Sequence, residues 1–182
     1  MQANIAVGLI ETSSIAKGIE TADAMCKAAG VELFISAGIP RGKYIIVVTG
    51  PVGEVESALL AGREMAGAAL LEHFIIRNIH KDVYAALTRK NPADAFESVG
   101  VVETKDAMPA IFAADAACKA ASVRLIEVRT GIGIGGKGFF SICGEPGAVR
   151  TALSAATAAI GEQRLVSRIF LPQANQQLAK AL

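Results

Sequence analysis

The sequence contains no tryptophan, and aromatic residues fill only 5% of its 182 positions. A ligand pocket lined by aromatic rings is therefore not expected. Cysteine is also scarce: Cys26, Cys118 and Cys143 are an odd number without paired spacing, which argues against a disulfide framework. Neither sign of charge dominates. Eighteen Lys and Arg against seventeen Asp and Glu leave a net charge of +1, without the basic surplus that drives phosphate-dominated nucleic-acid binding. Apolar runs are short, each broken by glycine, charge or a turn well before the ~18 residues of a membrane-spanning helix. The opening MQANIAVGLIE lacks the basic region, apolar stretch and cleavage site of a secretory signal. A reducing cytoplasm is expected, with neither nucleic acid nor membrane as partner.

What is present is apolar and small. Hydrophobic residues make up 52% of the chain and glycine 18 positions, so a sizeable core can form from closely packed layers. So apolar a chain of this size points to a large subunit interface.

The sequence repeats itself. Val7-Gly8-Leu9-Ile10-Glu11-Thr12 returns as Val99-Gly100-Val101-Val102-Glu103-Thr104, 92 positions on. At the same offset Asp23-Ala24-Met25-Cys26-Lys27-Ala28-Ala29-Gly30-Val31 returns as Asp115-Ala116-Ala117-Cys118-Lys119-Ala120-Ala121-Ser122-Val123, and Leu33 returns as Leu125. Further on Gly42-Lys43 matches Gly136-Lys137, and Ala58-Leu59 matches Ala152-Leu153, at an offset of 94. Two residues are thus inserted between Leu125 and Gly136. A polar link, Thr88-Arg89-Lys90-Asn91-Pro92-Ala93-Asp94, joins the copies and divides the chain into domains 1–92 and 93–182.

Each copy reads as β-α-β-β-α-β-α. Ile5 to Glu11 is a β-branched run, followed by Ser13 or Ser14 as a helix N-cap. Ile15, Ile19, Ala22, Cys26 and Ala29 share one apolar helical face, and Gly30 stands where a C-terminal glycine ends a helix. Strands follow at Val31–Ser36 and Lys43–Thr49. Pro51 suits the first turn of a helix to Ala66 with Val55, Leu59 and Ala66 inward. A strand at Leu70–Ile76 and a short helix at Lys81–Leu87 complete the copy. The fold class is α+β, with helices on one side of a mainly antiparallel sheet.

Gly131-Ile132-Gly133-Ile134-Gly135-Gly136-Lys137-Gly138 satisfies two nucleotide-binding patterns literally. A phosphate loop, however, needs a following helix and a Ser or Thr after its lysine. Here Gly138 stands in that place and Phe139-Phe140-Ser141-Ile142-Cys143 reads as a strand, so the glycines are assigned to turns. Cys26 and Cys118 are expected as small core residues. His73 and His80 stand without a Cys or carboxylate cluster, so no metal site is expected. Glu11 and Glu103 are assigned to capping the next helix rather than to acid–base chemistry. No nucleophile, base and oxyanion site come together, and no enzyme activity is foreseen.

The repeated Val-Gly-x-x-Glu-Thr, the helix end Asp-Ala-x-Cys-Lys-Ala-Ala-x-Val, and the strand ends Gly-Pro-Val-Gly and Gly-Glu-Pro-Gly together resemble bacterial microcompartment shell domains, over both halves. The chain looks most like the tandem-domain class, and within it the propanediol-utilisation type. That resemblance implies a homotrimer forming a pseudohexagonal tile with a central pore, packed edge to edge with other shell proteins around enclosed enzymes in the bacterial cytoplasm. It implies pore loops at Gly38-Ile39-Pro40-Arg41-Gly42 and Ile132-Gly133-Ile134-Gly135-Gly136, and tile-edge lysines at Lys27 and Lys119. The family's edge arginine is replaced by Asn78 and Gln173. A pore-loop cysteine of the propanediol-utilisation type supplies an iron–sulfur ligand; Pro40 holds that position here and has no thiolate, so no cofactor is expected. Three copies of Arg41 would bias the pore toward anions. The rival reading is a trimeric ferredoxin-like regulator that binds a small effector at subunit clefts.

Overall fold

A computed structural model of the chain describes residues 5–88, 97–175 and 177. The chain forms two compact units, Met1–Ile79 and His80–Leu182. The first holds β1 (Ile5–Thr12), α1 (Ile15–Ala28), β2 (Glu32–Ile39), β3 (Lys43–Pro51), α2 (Val52–Ala66) and β4 (Leu70–Ile76). The second holds α3 (Lys81–Thr88), β5 (Ser98–Thr104), α4 (Ala107–Ala120), β6 (Arg124–Thr130), β7 (Gly138–Gly144), α5 (Pro146–Ile160) and β8 (Leu165–Leu171). The repeat assigns α3 to the end of the first copy, yet its packing partners are β6 and α4 of the second unit. Linker residues 89–94 and the helix expected after β8 lie outside the described residues.

Each unit is one four-stranded sheet, ordered β2-β3-β1-β4 and β6-β7-β5-β8, and every pairing is antiparallel. Even the irregularities repeat: the register shifts between Glu11 and Thr12 where β1 meets β4, and between Glu103 and Thr104 where β5 meets β8. The repeated Val-Gly has a packing cause. A Cβ on Gly8 would stand 2.8 Å from Val55 Cγ1 and one on Gly100 2.9 Å from Val149 Cγ1, so the glycines let α2 and α5 settle onto the central strands. In the first unit Ile10, Met25, Ile46, Val48, Val55 and Leu59 form the core between sheet and helices.

Several expectations need correction. Ser14 does cap α1, its Oγ accepting the Lys17 N–H at 3.3 Å. The buried face of α1, however, is Gly18, Thr21, Ala22 and Met25, not Ile15, Ile19, Ala22, Cys26 and Ala29. The helix carries two apolar faces, and the one with the smaller residues wins because it approaches the sheet more closely. A Cβ on Gly18 would lie 2.5 Å from Tyr44 Cβ. Ile15 and Ile19 are left 46% and 55% exposed, and Cys26 is exposed as well. Helix α1 ends as Ala29 turns extended, with φ −156°, and Gly30 instead gives its N–H to Glu54 Oε2 at 2.7 Å. Pro51 sits at the N-cap of α2 rather than inside its first turn. Its counterpart Glu145 caps α5, Oε2 accepting the Ala148 N–H at 2.9 Å. Backbone N–H groups of Gly147 and Ala148 hold that carboxyl below its ordinary pKa.

Candidate functional site

The two hairpin loops that the repeat singles out differ in construction. Pro40-Arg41-Gly42 joins β2 to β3, with Ile39 opposite Lys43. Arg41 and Gly42 adopt φ 70° and 71°, so two successive left-handed residues reverse the chain. For arginine this conformation costs about 1 kcal/mol, yet it holds the guanidinium at the loop tip. Pro40, Arg41 and Gly42 are exposed, whereas Ile39 is buried. Among the described residues Arg41 has no carboxylate partner.

The second loop runs from Gly131 to Lys137 and carries the two extra residues. Gly131, Gly133, Gly135 and Gly136 have φ of 83°, 75°, 72° and 84°, which is why glycine alternates here. The N–H groups of Ile134 and Gly136 both donate to the Gly131 carbonyl, at 3.4 and 3.2 Å, closing the loop on itself. Ile132 is 49% exposed at its tip and Ile134 is half-buried. Strand β7 rather than a helix follows it directly, so it is not a phosphate loop.

Glu11 and Glu103 do not cap helices. Lys43 Nζ lies 2.7 Å from Glu11 Oε1, and Lys137 Nζ lies 2.7 Å from Glu103 Oε1. Each pair ties the residue that follows a loop to the end of the central strand, fixing the loop's base and neutralising its lysine. Glu11 is 2% exposed and its Oε2 has no partner among the described residues, so Lys43 is the main compensation for a buried charge.

At the opposite end of the helices, Lys27 Nζ pairs with Asp23 Oδ2 and Lys119 Nζ with Asp115 Oδ2, each at 2.6 Å across one helical turn. The pairs are not equivalent in burial. The Asp23 side chain is 60% exposed, whereas that of Asp115 is 6% exposed and its Oδ1 also accepts the His80 N–H at 2.8 Å. Nothing in the sequence repeat distinguishes these two aspartates.

Among the described residues no group of three or more His, Cys, Asp and Glu is placed to hold a metal ion. Cys143 and Cys118 are buried; burial, then Asp82 and Asp115, push the Cys118 thiol up to about 12. Partial burial and then Arg63 lower the pKa of His73, while His80 Nδ1 accepts the Asp82 N–H at 3.3 Å. Neither loop contains a cysteine, so the donor set does not fit an iron–sulfur cluster at the loops.

The BMC domain model matches twice, at residues 6–79 and 98–174. The chain belongs to the BMC domain family. It is 38% identical to the bacterial microcompartment shell protein PduT of Citrobacter freundii, over 95% of each chain. One half is 40% identical to the carboxysome shell protein CcmK2 of Synechococcus elongatus, covering 43% of this chain and 81% of that one. A solved microcompartment protein from Desulfitobacterium hafniense superposes with a TM-score of 0.90 at 37% identity, covering 98% of this chain and 99% of that one. The chain is thus a structural component of a microcompartment shell, with two BMC domains in tandem, and not an enzyme.

Within the BMC domains the repeat placed both loops and both lysines at equivalent positions of the two units. It missed the Glu–Lys pairs at the loop bases, although Glu11 with Lys43 and Glu103 with Lys137 recur at the two repeat offsets. It also missed the exposed flank of α1, because helical periodicity shows that a face is apolar but not what covers it.

Proposed function

We propose that three chains close head to tail into a pseudohexagonal ring that tiles a microcompartment shell in the bacterial cytoplasm and passes small metabolites through its centre. One observation carries this reading, the uneven burial of equivalent residues. Ile15 and Ile19 on α1 are 46% and 55% exposed, while their counterparts Ala107 and Ile111 on α4 are fully buried. The sheets are uneven in the opposite sense: Leu9 and the Glu11 side chain are 1% and 3% exposed, whereas Val101 is half-buried and the Glu103 side chain 34% exposed. The first domain thus keeps an open helix face and the second a partly exposed sheet face. Two different open faces make a heterologous contact, which closes into a ring when the rotation allows. Six BMC domains per ring require three chains, and native mass decides whether they assemble.

In that ring the hairpin loops meet at the axis. Pro40, Arg41 and Gly42 from each first domain would alternate with Ile132, Gly133, Ile134, Gly135 and Gly136 from each second. The only charges are three Arg41 guanidinium groups, because Lys43 and Lys137 are neutralised by Glu11 and Glu103. A ring of arginines in narrow, low-dielectric walls favours anions. Permeation measured across sheets or planar bilayers should favour small anions in the wild type and reverse toward cations in Arg41→Glu. Equal selectivity in the two proteins would remove Arg41 from control of the pore.

The effector-binding regulator receives no comparable support. Lys27 and Lys119 are assigned to the border between tiles, where other shell proteins are the partners and enclosed enzymes lie behind them.

A further inference from the structure

Strands β4 and β8 are equivalent, and the chain leaves them in the same way. His80 Nδ1 accepts the Asp82 N–H at 3.3 Å, and 95 positions later Asn175 Oδ1 accepts the Gln177 N–H at 2.9 Å. After the first of these turns comes α3, whose Val83 and Ala86 are 0% and 7% exposed. After the second the sequence continues Gln177-Leu178-Ala179-Lys180-Ala181-Leu182, with Leu178, Ala181 and Leu182 where α3 has Val83, Ala86 and Leu87. The same apolar stripe is therefore written twice, behind the same turn.

The seat that receives α3 is also present twice. Helix α3 packs on the edge strand β6 beside α4, where Leu125, Cys118 and Asp115 are 0%, 6% and 4% exposed. Asp115 Oδ1 anchors its start by accepting the His80 N–H. In the first unit the edge strand is β2, beside α1, and the counterparts are Leu33, Cys26 and Asp23. These are open: Leu33 is 42% exposed, the Asp23 side chain 60%, and Cys26 is exposed. Among the described residues no second helix is packed on β2 as α3 is on β6.

We propose that residues 176–182 of one chain dock on the β2–α1 seat of a neighbouring chain, with Leu178 and Ala181 against Leu33 and Cys26 and the Asn175 N–H on Asp23. The inference rests on the ring described above. Helix α3 follows the strands of one domain but packs on the domain next in the chain. In a closed ring the domain next after the second is a neighbour's first. The C-terminal segment thereby latches each of the three joints between chains, as α3 latches onto β6 within one chain.

A photoactivatable benzophenone amino acid replacing Gln177 in the full chain tests this. Irradiated trimers are expected to give covalent dimers and trimers whose cross-linked peptides map to residues 23–35. Products that stay at single-chain mass, or that map elsewhere, overturn the docking. A second readout is the exposed thiol: maleimide should modify Cys26 slowly in wild-type trimers and roughly tenfold faster in Leu178→Asp, since accessibility governs thiol reactivity. The Cys26→Ser variant identifies the signal, and Cys118 stays slow in all of them because its thiol is buried with two carboxylates. Intact trimers with equally fast Cys26 in wild type and Leu178→Asp overturn the latch and leave the ring standing. A wild-type chain that is monomeric overturns both.

Discussion

Lys27→Asp combined with Lys119→Gln is expected to abolish two-dimensional sheets while leaving the trimer whole. Lys27 is 75% exposed and, among the described residues, is held only by Asp23 one turn away, a surface pair that contributes about 0.5 kcal/mol or less. Its removal costs the fold little, and its charge is available to an adjoining tile. Lys119 needs gentler treatment. It neutralises Asp115, whose side chain is 6% exposed and also anchors His80. Aspartate there would set two carboxylates together beside a buried site, a change of the kind that costs about 3–5 kcal/mol. Glutamine keeps a donor for Asp115 and removes the charge from the border. Electron microscopy of the concentrated variant should show dispersed particles where the wild type shows sheets or tubes. Unchanged sheets would return both lysines to ordinary solvated helix ends.

The largest effect on stability is expected at Gly18. A Cβ at this position would lie 2.5 Å from Tyr44 Cβ and 2.6 Å from its ring carbons. Tyr44 cannot yield easily: it is 8% exposed, and its hydroxyl is bonded to Ser36 Oγ at 2.9 Å. Gly18→Val must therefore lift α1 from the sheet or expel the ring, at a cost of about 3 kcal/mol or more. Gly53→Ala is the control, since nothing lies within 4 Å of an added Cβ in the first turn of α2. That change should stabilise by up to about 1 kcal/mol. Thermal unfolding of the two variants should move in opposite directions, and a Gly18→Val protein as stable as wild type would refute the close approach of α1 to Tyr44.

Duplication made much of this architecture legible. A string such as Val-Gly-x-x-Glu-Thr, read once, says strand; read twice at a fixed spacing, it also gives the order of the elements and the position of the inserted loop residues. The α+β class and the antiparallel sheets followed from it, as did the shell family. Duplication also misled. It treats equivalent positions as equal, whereas Cys26 is exposed and Cys118 buried, and Asp23 is open where Asp115 is enclosed. Such differences arise from what lies over each copy, and periodicity carries no record of it. The inward face of α1 was misread for a related reason: Ile15 and Ile19 outweigh Gly18 and Thr21 on any hydropathy count, but Gly18 allows the close approach to Tyr44. The Glu11–Lys43 pair was missed because its partners lie on different strands, and only the register of β1 against β3 brings them together.

Closure of the ring underlies both the pore and the latch, and one measurement reaches it directly. Native mass spectrometry or sedimentation equilibrium of the purified full chain, across micromolar concentrations, should give a species about three times 18.8 kDa, because in the proposed ring the open helix face of each first domain meets the partly exposed sheet face of a neighbour's second. A single species at 18.8 kDa over the same range would mean that those faces do not meet, and would contradict the ring, its pore and the latch together.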